Sequence, residues 1–300
     1  MRNAFIEELV SLARINPQIA LVVGDLGYSV VEPFADEFPE RFINAGVAEQ
    51  NMTGLAAGMA SEGYHVFTYS IANFPSFRCA EQIRNDIDYH NLSVTVVAVG
   101  GGLSYGALGY SHHAVQDYAL FRTFPNTLIA APGDPNEVRA CMRYLVSNPG
   151  PSYLRLGKAG EPNFHDNIPL VEPGVWLKYQ EGKDTNGAIL STGATMSLAS
   201  EWSKDIRYKD YELFSMPLWS MSSKLDQLDI LKNKNEIITI EDHLQDGGFG
   251  SWMLEANSLL DNKLNPIKAN IKTIALSSKV CGTVGSQSTL NKMGGIVPES

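Results

Sequence analysis

A glutamate, Glu49, stands in the stretch Val47-Ala48-Glu49-Gln50-Asn51. There an apolar strand end, Phe42-Ile43, passes through Gly46 into a helical pattern rich in small residues: Gly54, Ala56, Ala57, Gly58 and Ala60. This places a carboxylate in the first turn of a close-packing helix. A helix dipole favours an acid there whatever its chemistry, so spacing alone does not separate a helix-start residue from a proton donor. A second group able to move protons is the pair His112-His113, in a glycine-rich loop over 100–113 that follows an apolar run. Spacing alone leaves His113 open between a site role and a structural one. The three cysteines, Cys79, Cys141 and Cys281, are far apart and have neither metal nor redox spacing. They read as buried or incidental thiols of a reducing compartment, which predicts a cytoplasmic protein.

These groups need a scaffold, and the apolar pattern supplies one. A helical stripe over 3–14 stops at Pro17, and a continuous apolar run over 19–23 suits a strand buried on both faces. The unit then recurs. Strands are predicted over 42–45, 66–69, 94–99, 127–131 and 152–156, and helices over 48–62, 76–88, 114–122 and 135–147. Such alternation predicts an α/β fold with a parallel sheet, whose ligands bind at the carboxyl ends of the strands. The glycine and polar clusters fall at those ends. Residues 157–173 are rich in Gly and Pro and read as a linker. A second α/β pattern follows, with strands over 188–190, 212–216, 236–240 and 271–276 and helices over 194–204, 222–232 and 248–260. The predicted organisation is one domain over 1–165, a linker over 166–184 and a smaller α/β domain over 185–300.

Composition narrows the partners. A net charge of −10 and a pI of about 5.1 argue against nucleic acid and anionic lipid as default partners, but not against a small phosphorylated ligand held in a local pocket. No apolar run reaches membrane-spanning length, and the acidic, helix-like start, Met1-Arg2-Asn3-Ala4-Phe5-Ile6-Glu7-Glu8, does not read as a signal peptide.

The chain resembles the transketolase family over nearly its whole length, in that family's thiamine-diphosphate pyrimidine-binding domain and C-terminal domain. The resemblance rests on the order and spacing of Gly24-Asp25-Leu26, Val47-Ala48-Glu49-Gln50-Asn51, Gln82-Ile83-Arg84, Gly109-Tyr110-Ser111-His112-His113, Phe121-Arg122-Thr123-Phe124-Pro125-Asn126 and Ile240-Glu241-Asp242-His243. It implies thiamine diphosphate as cofactor. Glu49 would be the buried acid hydrogen-bonded to a pyrimidine ring nitrogen, where low dielectric favours a shared proton. Phe74 and Phe77 would form an aromatic slot, with Ile71 replacing a further aromatic, and Asp25 would lie near the cofactor. His112 would contact substrate hydroxyls and move protons. Arg2, Ser29 and Arg155 would bind a sugar phosphate. His243 is expected to be structural, ending a strand and capping a glycine turn.

The family's diphosphate-binding domain is missing from the resemblance. The chain is therefore expected to be the C-terminal subunit of a split transketolase. It would need an N-terminal partner subunit that holds the diphosphate and Mg2+ or Ca2+, within a heterotetramer containing two of each subunit. Gly24-Asp25 followed by Asn51 mimics the partner's metal motif, but Glu49 assigns the stretch to the other domain, so no metal is expected here. In two places the chain departs from the family. A loop histidine falls within Gly100-Gly101-Gly102, and an aspartate that reads a donor hydroxyl is Leu108, which implies an unusual sugar substrate. Alternatives are a subunit like deoxyxylulose-phosphate synthase, a beta-type subunit of a 2-oxoacid dehydrogenase, or a non-catalytic partner.

Overall fold

Every residue of β1, Ile19–Val23, is buried, as its unbroken apolar run requires. β2 is Phe42–Asn44, β3 His65–Ile71, β4 Val94–Val99, β5 Leu128–Ala130 and β6 Ser152–Leu156. In the second half, β7 is Leu177–Gln180, β8 Asp184–Ser191, β9 Tyr211–Ser215, β10 Leu218–Trp219, β11 Glu236–Leu244 and β12 Asn270–Leu276. The computed structural model describes residues 1–259 and 269–298. The strands form two sheets, in the orders β10-β5-β6-β4-β3-β1-β2 and β12-β11-β8-β9-β7. All pairings are parallel except β10 with β5 and β7 with β9. This is the predicted α/β class.

From β1 the chain moves to β2 on one side and then crosses to β3 on the other. This reversal opens a crevice at the carboxyl ends of β1 and β3, the usual ligand position in such sheets. The register levels those ends: Val23 lies beside Tyr69, Ile71 beside Val99, and Val99 beside Leu156. The loops after β1, β3, β4 and β6 therefore share one edge. Helix Arg2–Ile15 covers one face beside helix Pro135–Ser147, tied by Glu8–Arg143 at 2.7 Å and Glu7–Arg139 at 2.6 Å. Helix Glu49–Ser61 covers the other through buried Met52, Ala56 and Ala60. Its close packing is one-sided: a Cβ added at Gly54 or Gly58 would meet nothing within 4 Å.

Three elements differ from expectation. The helix predicted over 76–88 is broken into Phe74–Phe77, Ala80–Gln82 and a π-helical turn Ile83–Asp88. Pro75 starts the first piece, and such π turns often lie near functional sites. The helix predicted over 114–122 shrinks to Asp117–Phe121, because Ala114 instead pairs with Gly102 across the mouth of the loop. The helix predicted over 222–232 is a 3-10 turn, Ser222–Gln227, followed by Leu228–Lys232. The helix predicted over 248–260 runs Phe249–Ser258, and position 260 lies outside the described residues. The two halves are also joined more closely than a loose linker implies. β10 extends the first sheet, and the linker residues Val171 and Trp176 are buried.

Candidate active site

After β2, the chain turns at Gly46, whose φ of +73° suits glycine, and enters the helix at Glu49. Glu49 is only 2 % exposed. Its Oε2 accepts a hydrogen bond from Arg78 Nη1 at 2.9 Å. Arg78 comes from the broken helix after β3. Its guanidinium lies 4.7 Å from the Phe74 ring centroid, and its carbonyl accepts from Gln50 Nε2 at 2.9 Å. The acid is thus held by a cation that is itself 48 % exposed, a partner that solvent or a ligand can replace.

The pyrimidine of thiamine diphosphate needs a buried acid and a flat apolar wall. Glu49 and Phe74 supply both. A Cβ at Gly24 would rest at ordinary contact, 3.6 to 3.7 Å, from Met52 Sδ, Glu49 Cγ and Ser70 Oγ, so the crevice floor is already filled to van der Waals distance. Ser70 Oγ is buried without a hydrogen-bond partner, an orphan polar atom beside the acid. These groups fit the pyrimidine end of the cofactor.

The loop after β4 brings the imidazoles in. Asn73 Nδ2 donates to Ser111 O at 2.8 Å and pins the loop to the Phe74 turn. His112 then meets Phe74 edge-on, with ring centroids 5.0 Å apart, and its Nδ1 lies 3.0 Å from Ser111 Oγ. Partial burial and the adjacent His113 hold its pKa below the usual histidine range, so the imidazole is neutral at neutral pH and can accept a proton. His113 faces inward. It is buried, with Nε2 3.3 Å from Gly106 O, and it shapes the loop.

Arg155, one residue before the end of β6, lies buried beneath the loop at this edge, which leaves it no free donor for the expected phosphate role. Its side chain is 2 % exposed and bonded on every nitrogen: Nε to Asp117 Oδ2 at 2.7 Å, Nη1 to Asp242 Oδ1 at 2.5 Å, and Nη2 to Ala114 O at 2.8 Å. The Tyr118 ring lies 4.4 Å away. An arginine in a strand buried at every position must find its counter-charges inside. The cation at the edge is Lys158, just past the end of β6, whose ammonium sits 5.1 Å from the Tyr105 ring centroid.

The other expected residues are dispersed along the edge. Arg2, at the start of its helix, has Nε buried without a partner, and no hydrogen bond or ion pair joins it to Ser29 among the described residues. Ser29 has a left-handed backbone, φ +62°, and its N–H donates to Glu32 Oε1 at 2.7 Å. Asp25, also left-handed, accepts from Asn44 Nδ2 at 3.0 Å and Tyr28 Oη at 3.2 Å, which braces the turn after β1. Ile71 closes β3, and Phe77 is 46 % exposed. Among the described residues, no group of three or more His, Cys, Asp or Glu could hold a metal. Sequence reasoning missed Arg78, Tyr105 and Lys158. A signal existed for Lys158: it is the first cation beyond the strand end, whereas Arg155 sits inside the strand.

The second half closes the seam and braces the loop after β4, with the Gly285 N–H donating to Gly106 O at 3.2 Å. Glu241 accepts from the N–H groups of Phe249 at 2.6 Å and Gly250 at 2.8 Å, so it, and not His243, caps the turn after the strand. His243 stacks on Tyr118, with centroids 5.3 Å apart, and its Nε2 accepts from Ala119 N at 3.4 Å. Its structural role therefore lies between the halves.

A buried acid, an aromatic ring and a neutral imidazole thus lie together at the switch point of a parallel sheet. The chain belongs to the transketolase family: residues 1–160 match its pyrimidine binding domain. It is similar to an apulose-4-phosphate transketolase subunit of Phocaeicola vulgatus, 34% identical over 265 residues, covering 86% of this chain and 83% of that protein. It is also similar to the corresponding apulose-4-phosphate transketolase subunit of Actinobacillus succinogenes, 30% identical over 258 residues, covering 85% and 82%. Among solved structures, a split-gene transketolase described as an inactive β4 tetramer superposes with a TM-score of 0.82 at 30% identity, covering 99% of this chain and 93% of that one.

Proposed function

We propose that this chain is the C-terminal, pyrimidine-binding subunit of a split transketolase, and that with an N-terminal partner it transfers a two-carbon ketol unit from a ketose phosphate to an aldose. One observation carries the reading: a continuous line of contacts, Glu49–Arg78–Phe74–His112, at the crevice between β1 and β3. Thiamine diphosphate, when bound, supplies the electron sink for carbon–carbon bond cleavage. Glu49, buried at the start of its helix, would hydrogen-bond a ring nitrogen of the bound pyrimidine. Phe74 would pack against that ring, and His112, neutral at working pH, would take and return the proton of a substrate hydroxyl.

The rim supports a missing partner. Val47 and Leu108, flanking the site, are 76 % and 57 % exposed, surface that a second polypeptide would cover. The partner would hold the diphosphate and the Mg2+ or Ca2+, and the assembly would contain two of each subunit in the cytoplasm. The split-gene neighbour, described as inactive as a β4 tetramer, behaves as half a site should.

Names of the relatives put apulose 4-phosphate first among donors to assay, beside xylulose 5-phosphate, and Leu108 in place of a polar reader favours an unusual ketose. The test is reconstitution with the N-terminal subunit and thiamine diphosphate, followed by ketol transfer from each donor. The complex should turn over, and Glu49→Gln should lower kcat by about a thousandfold while the complex still assembles. Unchanged turnover in that variant leaves only a scaffold role, and pyruvate consumption in place of ketol transfer would mean a synthase or dehydrogenase subunit. Ordinary transketolase rates on xylulose 5-phosphate and ribose 5-phosphate would rule out the specialised sugar.

A further inference from the structure

Three consecutive glycines, Gly100-Gly101-Gly102, follow β4, and the structure explains all three. A Cβ at Gly101 would lie 2.5 Å from Arg155 Cζ, and one at Gly102 would lie 2.1 Å from Asp242 Oδ2, so the buried ion pair runs directly beneath them. Gly100 differs. There a Cβ would lie 2.1 Å from Cε2 of Tyr105, a ring at the open edge rather than in the seam. Gly100 also has φ +78°, a conformation that other residues disfavour. The loop therefore has no side chain of its own at position 100, and the phenol of Tyr105 occupies that space.

Tyr105 connects the two ends of the edge. Its ring lies 6.4 Å, centroid to centroid, from His112, and the Lys158 ammonium is 5.1 Å from its centroid. Arg2 acts electrostatically on both Tyr105 and Tyr69, pulling against the burial that raises their pKa values. Among the described residues the Tyr105 hydroxyl has no hydrogen-bond partner. A free hydroxyl on a ring that carries a lysine ammonium over its face, beside the imidazole of His112, matches an anionic group at the far end of a short substrate.

We propose that Tyr105, with the Lys158 ammonium over its ring, is a specificity-determining residue whose hydroxyl donates to the phosphate of the sugar substrate. It takes the place of the side chain that Gly100 lacks. This rests on the sugar-phosphate transfer proposed above. The ring holds the position over Gly100, and the hydroxyl reads the anion.

The experiment compares glyceraldehyde 3-phosphate with glyceraldehyde as acceptors for the reconstituted complex, in the wild type and Tyr105→Phe. The variant should raise KM for the phosphorylated acceptor about tenfold, the scale of one hydrogen bond to a charged group, with kcat unchanged and glyceraldehyde kinetics untouched. Calorimetric titration of glyceraldehyde 3-phosphate into the complex without donor should show the same loss of affinity. Equal loss for both acceptors, or no loss for either, would overturn the role of Tyr105 while leaving the transketolase reading intact. Failure of the wild-type complex to transfer a ketol unit to either acceptor would overturn that reading and this inference with it. Gly100→Ala, whose Cβ must displace the Tyr105 ring, should reproduce the phosphate-selective loss with the hydroxyl still present.

Discussion

Two arginines that each hold a buried acid differ in their surroundings. Arg155, in the seam between the sheets, binds Asp117 and Asp242 with all of its nitrogens engaged and water excluded. Arg78, at the carboxyl edge, reaches Glu49 with Nη1 alone. The seam is a finished structure, and the edge is a site with valences to spare. Residue type does not distinguish a structural charge from a functional one; saturation and access do. Where every donor has an acceptor, no ligand can enter without breaking a buried bond. Where a buried acid depends on one exposed cation, exchange is cheap.

The seam gives the larger stability effect. Arg155→Leu leaves Asp117 and Asp242 buried without their cation, and loss of one partner from a buried pair costs about 3–5 kcal/mol. The urea midpoint should fall accordingly with an unchanged m-value. Asp242→Asn, which keeps the shape and one acceptor, should cost less. If Arg155→Leu unfolded at the wild-type midpoint but weakened sugar-phosphate binding, the contrast between the two arginines would be reversed and the phosphate role restored.

A second test of the seam uses pH. Burial pushes the Glu241 carboxyl up to about 8, against the pull of its two amide donors. The folded state thus keeps a proton that the unfolded chain releases near the ordinary value of about 4.3, and stability should decline as pH rises through that window and level off above about 8. Glu137, raised by burial to about 7, contributes with the same sign over a narrower range. Thermal melts between pH 7 and 9, above the range in which the buried histidines held low titrate, should therefore slope downward, and Glu241→Gln should make the slope shallower. An unaltered slope would mean that the amide donors keep Glu241 ionised throughout.

How legible each region was follows from the same contrast. The apolar runs of β1, β4 and β6 announce buried parallel strands, so the sequence carried the sheet, and Glu49, Phe74 and His112 lie on short motifs next to strand ends, where the structure brings them close together. Arg155 was misread because a strand buried on both faces has no polar side to betray direction, and its acids are 38 and 87 positions away. The two-residue β10 is too short to show a period, and it pairs with a strand of the other half. Tyr105 was missed because its meaning depends on Gly100, five residues earlier, having no side chain. The break in the helix over 76–88 was hidden because its residues are individually compatible with an ordinary helix.

The smallest expected effect comes from Arg78. Its pair with Glu49 is half solvent-exposed on the arginine side, and pairs of that kind are typically worth under about 1 kcal/mol. Its contact with Phe74 adds a comparable cation–π increment. Arg78→Ala should therefore shift the urea midpoint little, far less than Arg155→Leu does, even though both substitutions remove an arginine from an acid. The Glu49 carboxyl remains buried in that variant and must find water or a ligand in place of the guanidinium, which the open edge permits and the seam would not. A loss as large as that of Arg155→Leu would show that the edge is as closed as the seam, and that Arg78 is a permanent part of the wall rather than a partner a cofactor can displace.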